Sequence, residues 1–128
     1  MFFLCILFLA PLSAKKTQRM SGNPILPEFH ADPEVLFSEQ TGRFYIYSTT
    51  DGAPGWGGYY FTAFSSADLV DWRHEGMILD LATDQVPWAS GNAWAPCIIE
   101  RREGAGWKYY FYYSGHNPEH NRKAIGVA

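Results

Sequence analysis

The chain repeats itself at a spacing of roughly 65 residues. Ala31-Asp32-Pro33-Glu34-Val35-Leu36 lines up with Ala93-Trp94-Ala95-Pro96-Cys97-Ile98-Ile99 through the shared proline and the apolar pair after it. A glycine-bearing turn follows in both copies, at Gly42 and at Gly104 and Gly106. Tyr45-Ile46-Tyr47-Ser48 then matches Phe111-Tyr112-Tyr113-Ser114. After a loop, Tyr59-Tyr60-Phe61-Thr62-Ala63 matches Ala124-Ile125-Gly126-Val127-Ala128. Short aromatic and β-branched runs between turn residues read as strands, and no long stretch shows helical periodicity. Each unit is therefore several antiparallel strands with an aromatic strand in the middle. Such a sheet cannot bury both faces alone. Radial stacking around an axis buries them, and that is a β-propeller. A β-sandwich carries similar hairpins but leaves the repeat unexplained. Two units cannot close a ring, which takes at least about four blades, and the second stops at Ala128 inside a strand-like stretch. The expectation is the N-terminal part of a longer all-β protein.

Composition narrows the partners. Aromatic residues make up 17% of the chain and charged residues 18%, with a net charge of −3. Basic residues occur only in short pairs such as Lys15-Lys16 and Arg101-Arg102, so no electrostatic footprint for nucleic acid is present. Exposed aromatics with a mildly acidic balance suit a neutral polar ligand such as a sugar; the alternative is that they are core and strand residues.

Residues 1–14 read as a signal peptide and 15–22 as a polar lead-in, leaving 23–128 for the propeller. Phe2 to Leu12 is almost wholly apolar but too short to span a bilayer, which takes roughly 20 helical residues; no membrane span is expected. Ser13 and Ala14 supply small residues for cleavage. A buried N-terminal strand is the alternative. The signal reading places the protein outside the cytoplasm, secreted or periplasmic. Cleavage removes Cys5 and leaves Cys97 alone, with no internal disulfide. A lone cysteine before Ile98 and Ile99 is expected to be a small buried hydrophobe.

Phe29-His30-Ala31-Asp32-Pro33-Glu34-Val35 is the sharpest local signal. A carboxylate precedes a proline at the entry to the first strand of the first unit. Pro33 biases Asp32 toward an extended backbone, and the first strand of a blade lines the central channel, where a carboxylate can face a polar ligand. A turn cap is the alternative. Glu34 points away from Asp32 if the strand is regular. Glu39, Glu100, Glu103 and Glu119 are expected in or beside turns, solvated. Asp68 reads as a turn cap and Trp72 as a packed residue. Trp94, at the entry to the second unit, offers an indole face to the C–H face of a sugar, with core packing as the alternative. Trp56, in a glycine-rich loop, extends such a site. His30 adjoins Asp32 and either bonds a sugar hydroxyl or stabilises a turn. The four histidines show no metal-ligand spacing and pair with no cysteine, and Gly55-Gly57-Gly58 lacks the lysine of a phosphate loop.

These motifs resemble those of the family 43 glycoside hydrolases. His30-Ala31-Asp32-Pro33-Glu34-Val35 is similar to the family's first-blade motif. Asn92-Ala93-Trp94-Ala95-Pro96 followed by Cys97-Ile98 is similar to its second-blade entry, and Ile125-Gly126-Val127-Ala128 to the inner part of that blade. The likeness runs from Asn23 to Ala128. It implies a five-bladed β-propeller, monomeric when complete, of which about the first two blades are present. It implies an inverting hydrolase of arabinose- or xylose-containing glycans, with Asp32 as general base and Trp94, His30 and Trp56 as substrate-binding residues. The family's general acid, a glutamate, and its third carboxylate, an aspartate, come from later blades and fall on no residue here. No cofactor is implied beyond a structural cation at the propeller centre, held through water and a later-blade histidine. A non-catalytic glycan-binding propeller is the alternative. On either reading this chain alone is expected to be inactive.

Overall fold

The computed structural model describes residues 22–128; the signal-peptide reading and most of the lead-in lie outside the described residues. The elements are β1 (His30–Ser38), β2 (Arg43–Thr50), a 3-10 turn (Pro54–Trp56), β3 (Tyr60–Ser66), β4 (Arg73–Asp80), β5 (Trp94–Glu103), β6 (Gly106–Asn117) and β7 (Arg122–Val127). They form two antiparallel meanders, β1-β2-β3-β4 and β5-β6-β7. These are the first blade and most of the second blade of a β-propeller. The aromatic runs read as strands from the sequence fall inside β2, β6 and, but for Tyr59, β3, while β1 and β6 begin about five residues earlier than the apolar runs alone suggested. Asp68 caps its turn as expected, accepting from the backbone N–H groups of Val70 and Asp71 at 2.9 Å each.

The two sheets stack face to face. β5 lies against both β1 and β2, so the first strands of the blades are neighbours. Phe61, wholly buried, meets Phe111 edge-on at 5.1 Å between ring centroids and Tyr113 at 5.7 Å. Tyr47 tilts onto Phe111 at 5.8 Å. Burial, and after it the nearby Tyr45, Tyr109 and Glu100, push the Tyr47 phenol up to about 12, so it stays neutral within this layer. The connector between the blades closes one end. Leu81, Val86 and Ala89 are buried in the same cluster, and Trp88 stacks on Tyr113 at 5.7 Å. Gly126 makes room for that indole, since a Cβ there would lie 2.3 Å from Trp88 Cζ2.

The register corrects the repeat by one residue. Val35 pairs with Ile46, and its counterpart Ile98 pairs with Phe111. Ile46 therefore matches Phe111, and Tyr47 matches Tyr112, not Tyr113. Likewise Tyr47 pairs with Ala63 and Tyr112 with Val127, so Ala63 matches Val127. An unbroken aromatic run slides along itself without losing similarity, but a slip of one residue exchanges the faces of a strand. The corrected register explains the burial. Tyr47 and Ala63 face the second blade and are buried, whereas Tyr112 and Val127 occupy the same places on the second blade's far face and are exposed.

Two further expectations are corrected. Cys97 is exposed, because it lies on that same far face beside Tyr112. Glu100 is no solvated turn residue. It sits in β5 and reaches across to the β1–β2 turn, accepting from the Ser38 hydroxyl at 2.5 Å and from the Glu39 N–H at 2.6 Å. Partial burial raises its carboxyl, but the hydroxyls of Ser38 and Tyr109 and the amides of Glu39 and Gln40 outweigh that and hold it below its usual value of 4.5. The unfolded chain therefore binds this proton more readily than the folded one, and the clamp's contribution is full above the unfolded value and fades as pH falls through the folded one. In the full-length propeller, Glu100→Gln is expected to lower Tm at pH 7. The gap to wild type should shrink below about pH 4.5; a gap independent of pH would refute the clamp.

Candidate active site

Where Pro33 was expected to hold Asp32 extended, the backbone is left-handed, with φ = 47°. The cause is a β-bulge. Ala31 pairs with Thr49 and Glu34 with Tyr47, so one extra residue is inserted in β1. A bulge re-aims the side chains within it, which also removes the regular alternation assumed for Glu34. That residue instead reaches Cys97, whose Sγ donates to Glu34 Oε1 at 3.8 Å. Desolvation and then the Glu34 charge push the Cys97 thiol up, which opposes any nucleophilic role. The second blade repeats the device. Trp94 pairs with Ser114, Cys97 pairs with Tyr112, and Ala95 has φ = 45°. Ala95, not Trp94, therefore stands in the place of Asp32.

The exposed Asp32 carboxylate is held by one described side chain. Thr49 Oγ1 donates to Asp32 Oδ2 at 3.0 Å and accepts from the Ala95 N–H at 2.8 Å. Next to Ala95, the Trp94 indole N–H donates to the Trp56 carbonyl at 2.8 Å, and Asn92 Nδ2 donates to the same oxygen at 3.1 Å. Lys123 donates to Asn92 Oδ1 and places its ammonium 4.5 Å from the centre of the Trp94 ring. Asp32, Thr49, Ala95, Trp94, Trp56, Asn92 and Lys123 thus form one contact chain across the same end of both blades. Trp94 is neither a buried core residue nor a free platform. It is half-buried, tied at its edge and covered on one face by a cation.

Trp56 presents its ring to solvent, 72% exposed, from a turn in which Gly55 and Trp56 itself are both left-handed. With His30, Phe29 and Asp51 it lines a cleft of about 530 Å³. His30 does not join Asp32. Its Nδ1 shares a hydrogen with Ser48 Oγ at 2.9 Å, and its ring meets Phe64 edge-on at 5.4 Å. Ser48 and Thr49 are successive strand residues and point to opposite faces, so His30 is anchored on the face away from the second blade. Among the described residues no three His, Cys, Asp or Glu side chains converge, so they do not fit a cation cage of their own. No described helix is long and apolar enough to cross a membrane.

Residue type pointed to Asp32, Trp94 and Trp56. It did not point to Thr49 or Lys123, whose partners are set by strand register and not by any local pattern.

Two stacked antiparallel blades, each entered through a bulge before a proline, define a β-propeller. The model of the glycosyl hydrolases family 43 matches residues 21–128, and the chain belongs to that family. The beta-D-galactofuranosidase xynD of Aspergillus niger is 32% identical over 110 residues, covering 80% of this chain and 31% of that protein. The GH43_1 enzyme from Xanthomonas citri complexed with xylose is 26% identical with a TM-score of 0.66, over 79% of this chain and 28% of that one. A thermostable family-43 glycoside hydrolase is 28% identical with the same TM-score, over 85% of this chain and 31% of that one. The chain thus spans just under a third of the length of these relatives.

Proposed function

We propose that this chain supplies the first two blades and the general base of an inverting glycoside hydrolase acting on arabinose- or xylose-containing glycans. The observation that carries the reading is the β1 bulge, which turns the Asp32 carboxylate out of the strand at a left-handed residue with one oxygen bonded to Thr49. Asp32 takes a proton from water as the water oxygen attacks the anomeric carbon. A carboxylic acid from a later blade gives its proton to the departing glycosidic oxygen. In inverting enzymes the two carboxyls stand about 6.5–9.5 Å apart, which leaves room for that water. Trp94 and Trp56 flank the sugar, and the cleft shared by Trp56 and His30 extends the site. Support for a pentose comes from the relative crystallised with xylose; the galactofuranosidase among the relatives makes furanosides part of any assay panel. We further propose, from the family resemblance, that the complete enzyme is monomeric and, from the signal reading of residues 1–14, that it acts outside the cytoplasm.

In the full-length enzyme, Asp32→Asn is expected to lower kcat by about 10²–10⁴-fold, the usual range for a general base, with the fold intact by circular dichroism. Near-normal turnover would sink the assignment. Retained glycan affinity in a wild type that hydrolyses nothing would favour the binding-propeller reading instead.

Trp94→Ala is expected to raise KM or lower turnover for oligosaccharides with a small change in Tm. A large drop in melting temperature with unchanged kinetics would make Trp94 structural.

Residues 15–128 expressed alone are expected to release no sugar from aryl arabinosides, xylosides or galactofuranosides, because leaving-group departure needs a positioned acid and the family resemblance assigns that acid to a later blade. Hydrolysis by a soluble monomer would place a second catalytic carboxylate within this chain.

A further inference from the structure

We propose that Thr49 is the positioning residue for Asp32 and, held by the Ala95 N–H of the neighbouring blade, references its aim to that blade. The inference rests on the reading of Asp32 as general base. Thr49 is 2% exposed, and its hydroxyl has one hydrogen and two lone pairs to place. The Ala95 N–H, on the second blade, donates to Thr49 Oγ1 at 2.8 Å and takes up one lone pair. An ionised carboxylate brings no hydrogen of its own, so the 3.0 Å contact to Asp32 Oδ2 uses the Thr49 hydrogen. Both roles of the hydroxyl are thereby fixed and its direction is determined. Asp32 Oδ2 is tied, and Oδ1, which no described side chain binds, is left to take a proton from water.

The arrangement has a reason. Asp32 lies in a bulge at φ = 47°, on an exposed stretch of β1, where no packing holds its side chain. A charge-assisted hydrogen bond from a buried hydroxyl supplies the missing restraint. The hydroxyl is itself held by a backbone group of the other sheet, so the base is referenced to the blade interface and not to its own strand alone. The second blade shows the same backbone without the chemistry. Ala95 replaces the carboxylate and Ser114 stands in the place of Thr49, so the bulge by itself does not require the pair.

The test uses the full-length enzyme with Thr49→Val, Thr49→Ser, Asp32→Asn and the Asp32→Asn/Thr49→Val double variant, assayed on an aryl glycoside with melting curves for each. Thr49→Val keeps the shape and removes the hydroxyl. It is expected to lower kcat by about 10- to 100-fold, the size of effect a misaimed catalytic group produces, with KM within about two-fold. Thr49→Ser is expected to restore most of the rate. In the Asp32→Asn background Thr49→Val should add no further loss, because a residue that acts only through Asp32 has nothing left to act on. If Thr49→Val does not fold, Thr49→Ala removes the same hydroxyl and carries the same comparison. Turnover of a folded Thr49→Val within two-fold of wild type overturns the proposal. So does a further loss in the double variant, or a lowered Tm with unchanged kcat. An active Asp32→Asn variant instead overturns the base assignment itself, so the two failures are told apart.

Discussion

Phe61 and Tyr47 of the first blade meet Phe111 and Tyr113 of the second with centroids 5.1–5.8 Å apart, and the rest of the molecule is arranged around that contact. A meander of three or four strands has two faces and no second layer, so its apolar face must find another sheet. Complete burial of an aromatic side chain such as Phe61 stabilises by roughly 1.5–3 kcal/mol, and pairs in tilted or edge-on geometry add about 0.5–1.5 kcal/mol more. These terms fix the separation and tilt of the blades. They thereby bring the entries of β1 and β5 side by side, where Thr49 can bond across from one sheet to the other. The site is a consequence of blade stacking before it is a consequence of any particular catalytic residue.

The bulge at each blade entry is the second constraint. A non-glycine residue at positive φ is costly unless its surroundings enforce it, and here two residues in equivalent places, Asp32 and Ala95, both adopt it before a proline. The same backbone occurs where chemistry is proposed and where there is only a methyl group. The strain therefore belongs to the way a blade begins, and the first blade uses an existing turn-out to present a carboxylate. On the second blade the turn-out presents the Ala95 N–H to Thr49 instead. The two bulges are complementary halves of one contact.

Much of this was legible in residue type. The recurring proline with an apolar pair, and the aromatic strand after a glycine turn, identified two copies of a sheet. Asp before Pro at a unit's entry marked the carboxylate. What was illegible depended on register. Matching Tyr47 to Tyr113 by similarity put the repeat one residue out, because an aromatic run resembles itself when slid along. That slip hides which face each tyrosine occupies, and with it the reason that Cys97 is exposed. Glu100 looked like any surface glutamate, since nothing near it in sequence predicts a turn some sixty residues earlier waiting to be capped. Thr49 was silent for the same reason: its partners lie 17 and 46 residues away. Pro33 misled, because a preference for extended backbone is a local statement and the bulge is set by pairing with β2.

The far face of the second blade shows how the arrangement continues. Tyr112 and Val127, at 39% and 55% exposure, occupy the places that Tyr47 and Ala63 hold on the first blade, where they are 7% and 4% exposed. Ile99 and Ile125 are exposed beside them, at 49% and 72%. A face patterned like a buried one, and apolar over several strands, calls for a further sheet of the same kind. Each blade added this way inherits its orientation from the one before. Carboxylates presented from different blades then have separations fixed by accumulated stacking geometry and not by loops. A mechanism that needs two carboxyls at a set distance with water between them gains most from such a scaffold, because loss of about 1 Å in alignment costs as much as losing a hydrogen bond to the transition state. By this argument the hydroxyl that ties Asp32 to the next blade and the carboxylate that clamps the β1–β2 turn serve one end: both lock the first sheet to the second at positions where aromatic packing alone would leave it free to slide.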